Sequence, residues 1–171
     1  MILLTKLVNP QLELWVETKD LETIIQPSEL PATTTWKDWF SIWLSVLAPT
    51  ASPIDCYEVS LLLTNDLTIQ SLNANYRHQD KATDVLAFAA QETAIPGAET
   101  IYQTCPLPLG DVIISVETAQ RQRHDDNYSL SQELAWLATH GLLHLLGWDH
   151  PNDESLKIML EKQSCLLQQI D

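Results

Sequence analysis

Basic side chains are scarce in this sequence: nine lysines and arginines stand against 23 aspartates and glutamates, a formal net charge of −14 over 171 residues. Proteins that coat nucleic acid carry a basic footprint, so the bulk charge points away from RNA and DNA and toward a small-molecule or peptide substrate. The shortage is uneven, because Arg77, Lys81, Arg121 and Arg123 fall in the middle of the chain, where folding could gather them round one cleft. Sulfur is scarce too. Cys56, Cys105 and Cys165 lie far apart, and none belongs to a C-x-x-C pair. An odd, scattered set argues against a disulfide framework and against a thiolate-rich zinc site, and leaves each cysteine as a small buried apolar side chain. Long apolar runs are missing as well: none reaches the roughly 18 residues that would suggest a membrane span. The N-terminal residues lack the charged, apolar, small-residue order of a secretory leader. A cytoplasmic location without a membrane partner is the default expectation.

What is present is an ordinary globular composition, 45% apolar with a mean hydropathy of −0.07. At this length it predicts one domain over residues 1–171, with room for a sizeable core. Leu12, Leu14 and Val16 alternate with Glu13, Trp15 and Glu17, the period of a strand. Residues 26–35, with two prolines and three successive threonines, read as a loop. Trp36, Trp39, Phe40, Trp43, Leu44 and Leu47 recur at intervals of three and four, an amphipathic helix whose tryptophans are core side chains rather than a stacking platform. Residues 57–64 suit a second strand, and Asp66 is placed to cap a helix over 67–76. A polar segment, a short strand over 85–88, a surface loop over 90–108 and a strand over 109–116 follow. Ser115 could cap a helix to about His124, residues 125–127 break it, and Ser129 or Ser131 begins the next, which ends at Leu146; Ser129 with Gln132 fits a capping box. A last helix follows Pro151. This order, β-α-β-α-β-β-α-α-α, with two strands close together at 85–88 and 109–116, predicts an α+β fold: a mixed sheet of about four strands backed by helices.

Three of the five histidines fall within residues 139–150. His140 and His144 are four apart and share one helix face. Gly147 is the residue most able to take a left-handed conformation, end the helix and bring His150 back toward the other two. Three converging imidazoles leave the fourth position of a tetrahedral cation open, which is the pattern of a chemical rather than a structural site. Zinc, one per chain, is the first choice; nickel and copper also bind such nitrogens. The spacing follows the long metalloprotease pattern H-E-x-x-H-x-x-G-x-x-H, except that Gly141 stands where those enzymes place their general-base glutamate. No carboxylate there can take a proton from bound water, so a peptidase is disfavoured. The metal alone still suffices to activate water, since zinc lowers its pKa from about 15.7 to about 7. Asp149 could hold a histidine in place or cap the turn, and Asp84 and Asp111 at strand ends have the same two readings. His78 reads as a solvated side chain and His124 as the mark of a helix end.

The run from His140 to His150, His-Gly-Leu-Leu-His-Leu-Leu-Gly-Trp-Asp-His, resembles the signature of the bacterial YbeY family of metal-dependent endoribonucleases. Asn75-Tyr76-Arg77 with Thr83-Asp84-Val85-Leu86, and Leu109-Gly110-Asp111-Val112, are similar to two further blocks of that family. The resemblance spans roughly residues 57–165 and leaves the first fifty or so uncovered. Ala82 stands where the family commonly has proline, Ala89-Ala90 where an aromatic-rich or proline strand end is usual, and Trp148 where tyrosine is common. None of these touches a proposed ligand; they bear on loop shape. The resemblance implies cleavage of single-stranded RNA, with roles in maturing ribosomal RNA ends and in ribosome quality control. It implies His140, His144 and His150 as ligands and Arg77 as a basic residue needed for activity. Phosphate chemistry agrees, because a phosphodiester transition state gains negative charge and a guanidinium fits phosphate oxygens. The partners it implies are single-stranded and ribosomal RNA and small-subunit ribosomal proteins, with no DNA. Two rivals stay open. One is a metal-dependent hydrolase of another substrate, which the acidic balance suits. The other is a non-enzymatic ribosome-assembly factor with structural zinc, which would explain the missing general base.

Overall fold

The computed structural model describes residues 9–93, 95–123 and 128–170. Four strands form one sheet: β1 (Gln11–Thr18), β2 (Cys56–Thr64), β3 (Val85–Ala89) and β4 (Leu107–Ser115). Their spatial order is β1-β2-β4-β3, with β1 and β4 parallel to β2 and β3 antiparallel to β4. Five helices surround them: α1 (Thr33–Leu47), α2 (Asp66–Arg77), α3 (Val116–Gln122), α4 (Leu130–Leu145) and α5 (Asp153–Leu167). The expected mixed, four-stranded α+β arrangement is what the chain adopts. The parallel neighbours β1 and β2 are joined through α1, as parallel pairing requires a crossover, whereas β3 and β4 pair antiparallel across the 90–106 connection.

The two faces of the sheet are built differently. Tyr57, Val59, Leu61 and Leu63 of β2 join Leu109, Val112 and Ile114 of β4 on one face, packed with Trp36, Phe40, Trp43 and Leu44 of α1 and Leu134, Ala138 and Leu142 of α4. Each fully buried large apolar side chain contributes about 1.5–3 kcal/mol relative to exposure, so this layer is the main source of stability. Trp36 and Trp43 of α1 are core, as their spacing predicts, and Trp39 is half-buried against them. On the other face a smaller cluster joins Ile69 of α2 to Leu86 of β3 and Ile113 of β4. Trp15 lies on this thinly covered side, 63% exposed, with its indole N–H directed at Glu58 Oε2 3.4 Å away.

Several local expectations shift. The helix α1 starts at Thr33, because Pro31 sets the chain's approach and the exposed threonines fit its first turn. Asn65, not Asp66, caps α2 by accepting the Thr68 N–H. Asp66 instead receives Ser115 Oγ, Thr118 Oγ1 and Arg121, while Glu117 Oε2 accepts the Asp66 N–H. Burial by itself would raise the Asp66 carboxyl, but those hydrogen bonds and the Arg121 charge outweigh it and hold it below the usual carboxylate range. The 90–108 loop contains two 3-10 turns, Ala90–Thr93 and Ala98–Gln103. Of the cysteines only Cys56 is buried. Cys105 lies in the turn before β4, and Cys165 on α5 points away from the stripe of Met159, Gln163 and Leu166. Ser115 and Ser129 cap α3 and α4 as expected, the latter with the full Gln132 box. The expected break at 125–127 and His124 lie outside the described residues. Among the described residues no helix is long and apolar enough to cross a membrane.

Candidate metal centre and cleft

The helix α4 is buried along most of its length, and its packing fixes where His140 and His144 point. It ends in a Schellman turn: the Gly147 N–H donates to His144 O and the Trp148 N–H to Leu143 O, both at 3.0 Å. Gly147 takes the left-handed conformation this turn needs, with φ of 87°. The reversal carries His150 back over the helix end. The ring centroids of His140, His144 and His150 are 4.7, 5.5 and 5.3 Å apart, and one nitrogen from each falls within 4.8 Å of the others. His140 Nε2 and His144 Nε2 are 3.1 Å apart. The sequence expectation of convergence therefore holds, and the triad could bind a metal ion.

Electrostatics favour the neutral rings that ligation requires. Burial lowers the pKa of His140 and His144, and the neighbouring histidines push in the same direction. Asp149 accepts the backbone N–H of His150 through Oδ1 at 2.8 Å, so its carboxylate pins the turn. A residue that sequence reasoning passed over stands behind His140. Gln163 of α5, fully buried, lies 3.3 Å from His140 Nδ1 through Oε1 and donates from Nε2 to Trp136 O at 2.7 Å. The available signal was a polar residue on the apolar stripe of the last helix, between Met159 and Leu166.

Gly141 proves to be a packing requirement as well as a missing base. A Cβ at this position would lie 2.7 Å from Val112 Cγ1 and 3.0 Å from Cγ2. The helix α4 sits against β4 closely enough that a glutamate fits there only if Val112 or the helix shifts. The peptidase pattern is therefore opposed by the packing of α4 on β4.

His140 and His144 open into a cleft of about 650 Å3, walled by α4, the β3 edge and the end of α2. Arg77 reaches it from the last turn of α2. Its Nη2 donates to Ala87 O at 2.8 Å, and its guanidinium carbon is 5.6 Å from the centre of the Phe88 ring. Lys81 also lines the cleft. Arg121 does not: it pairs with Asp66 at 2.7 Å, and Arg123 likewise lies outside. Two of the four mid-chain cations are thus gathered and two are not. Asp84, Glu92 and Asp149 line the same cleft. Asp84 accepts the Val85 N–H through Oδ1 and is near enough to His140 to favour its charged form. Asp111 is exposed outside the cleft, and His78 forms the left-handed end of α2.

Three convergent imidazoles, two of them lining a polar cleft that Arg77 also lines, define the class: an α+β protein with a candidate metal site open to substrate. The profile of the family described as endoribonuclease YbeY matches residues 23–171, well upstream of the motifs read from the sequence. The endoribonuclease YbeY of Acaryochloris marina is 50% identical over 147 residues, covering 86% of this chain and 83% of that protein. Its counterpart in Nostoc sp. is 54% identical over 137 residues, covering 80% and 73%. A Thermotoga maritima protein solved in solution shares the fold, with a TM-score of 0.54 at 21% identity over 92% of this chain and 89% of that one. The chain belongs to the endoribonuclease YbeY family, a class of hydrolases named for cutting RNA internally.

Proposed function

We propose that this chain is a zinc-dependent, single-strand-specific endoribonuclease that acts in ribosomal RNA maturation and ribosome quality control. The observation that carries this reading is the convergence of His140, His144 and His150 at a cleft that His140 and His144 line together with Arg77. The donor set is all nitrogen, with Nε2 atoms already converging, which fits zinc better than an oxygen-seeking ion such as magnesium. His140, His144 and His150 would hold the metal, one per chain, and when bound it supplies Lewis acidity and a lowered water pKa. Arg77 is held by Ala87 O through one nitrogen, which leaves further N–H groups of its fork for a phosphate. Its role is to orient the phosphodiester and neutralise the charge that grows on its oxygens during cleavage. Asp149 holds the turn that places His150. A cleft of this volume is of the size that encloses a small ligand, which suits an unpaired strand passing the site better than a duplex.

Without a metal the described lining is net acidic, with Arg77 and Lys81 against Asp84, Glu92 and Asp149. A dication on the histidines reverses that sign, so phosphate attraction and metal binding go together. The acidic lining and composition support one alternative, a hydrolase of another substrate. Incubating the purified protein with single-stranded RNA, duplex RNA and single-stranded DNA, with and without chelator, separates the two. Cutting confined to the RNA strand and abolished by chelator is expected; zinc-loaded protein that leaves RNA intact contradicts the proposal. The cytoplasm, ribosomal RNA and small-subunit proteins complete the proposed setting.

A further inference from the structure

We propose that Gln163 is a positioning residue that fixes the tautomer of His140 and so makes its Nε2 a metal donor; this rests on reading the three histidines as a metal site. Trp136 O is a carbonyl oxygen and can only accept a hydrogen bond. The Gln163 atom 2.7 Å from it must therefore be the amide nitrogen, and the amide oxygen is left facing His140 Nδ1 at 3.3 Å. An amide oxygen also only accepts, so Nδ1 must carry the ring proton. In a neutral imidazole the lone pair then lies on Nε2, the atom 3.1 Å from His144 Nε2 in the centre of the cluster. The opposite tautomer would aim an N–H into the space a cation occupies.

Placement makes the arrangement rigid. Gln163 has no solvent exposure, so water cannot substitute for either partner. Trp136 is one helical turn before His140 on α4, so a single turn carries both the anchor for the amide and the ring it orients. A buried amide is costly unless both its ends are bonded, and here both ends are. The helix α5 thus contributes to the site through one polar side chain on an otherwise apolar stripe.

Nitrogen-detected NMR of the imidazoles in metal-free protein, at about pH 8 where histidine is neutral, reads the tautomer directly. The wild type should show His140 protonated on Nδ1; protonation on Nε2 overturns the proposal without any variant. Zinc affinity, measured by competition with a chromophoric chelator, supplies the second readout. Gln163→Leu should weaken zinc about 10- to 100-fold, as loss of a ligand's outer hydrogen bond does. Gln163→Glu, which keeps an acceptor for Nδ1–H but loses the donor to Trp136 O, should restore part of the affinity. A folded Gln163→Leu protein that binds zinc like the wild type also overturns the proposal, and if that variant does not fold, the wild-type tautomer and Gln163→Glu decide. Wild type that binds no zinc at all refutes the metal site itself; wild type that binds zinc with His140 in the other tautomer refutes only the role of Gln163.

Discussion

Gly141 has two consequences, one for chemistry and one for packing. The sequence already showed that no glutamate stands beside the first ligand, but only the fold shows that Val112 occupies the space one would need. With Val112 Cγ1 2.7 Å from the place of a Cβ, even Gly141→Ala forces Val112 or the helix to shift. We expect a loss of about 1–3 kcal/mol, measured by urea unfolding, despite the better helix propensity of alanine. A second residue-scale prediction concerns acid. Burial depresses the pKa of His140 and His144, so in metal-free protein the unfolded chain takes up protons first as pH falls. Their contribution is complete above the ordinary histidine value of about 6.5 and is lost as pH drops through the lower folded values. Melting temperatures of metal-free wild type should therefore fall between about pH 7 and pH 5, and the double variant His140→Gln/His144→Gln should show a smaller decline over the same range.

The elements were legible in the sequence where their causes are local. The 3.6-residue period of α1, the alternation in β1, the Ser129–Gln132 box and the Gly147 turn each depend on neighbours within a few residues, and each is found in place. What was missed depends on distant partners. Asp66 looked like a cap because it precedes a helix, yet Ser115 and Thr118, 49 and 52 residues on, claim its carboxylate, and Asn65 takes the cap. That carboxylate ties α2 to α3 through two hydroxyls, so Asp66→Ala should cost about 1–3 kcal/mol by leaving the buried Ser115 and Thr118 hydroxyls without this acceptor. The ion pair with Arg121 is a lesser matter, as the arginine side chain is 61% exposed. Arg121→Ala should cost less than about 1 kcal/mol. Thermal or urea unfolding of the two variants side by side checks the ranking; equal losses would mean that the charge, not the hydroxyl bonds, joins the helices.

For the whole molecule, the net charge of −14 pointed away from nucleic acid. Global charge misleads here because the site is small and local: Arg77 and Lys81 share a cleft with the histidines while Arg121 is neutralised by Asp66. The strand order β1-β2-β4-β3 was likewise not legible, since sequence order cannot say that β4 inserts between β2 and β3. That insertion places β3 at the sheet edge, where it becomes a wall of the cleft. With two cations, Arg77 and Lys81, in the described lining to meet phosphates, RNA binding there should weaken with salt at a log–log slope of about −1.4. Chelation should weaken it further, because the described lining is acidic without a dication. A steep slope, or affinity indifferent to chelation, would place the RNA elsewhere on the surface.

The central claim is that the three histidines and Arg77 act together on RNA. The most direct test is cleavage of a single-stranded RNA by zinc-loaded wild type, chelated wild type, His144→Ala and Arg77→Ala, with bound zinc quantified in each. Wild type should carry about one zinc per chain and cut; His144→Ala should lose both metal and cutting, and Arg77→Ala should keep the metal but lose about 100-fold or more in rate. Cutting that persists unchanged in the chelated protein and in both variants would contradict the account.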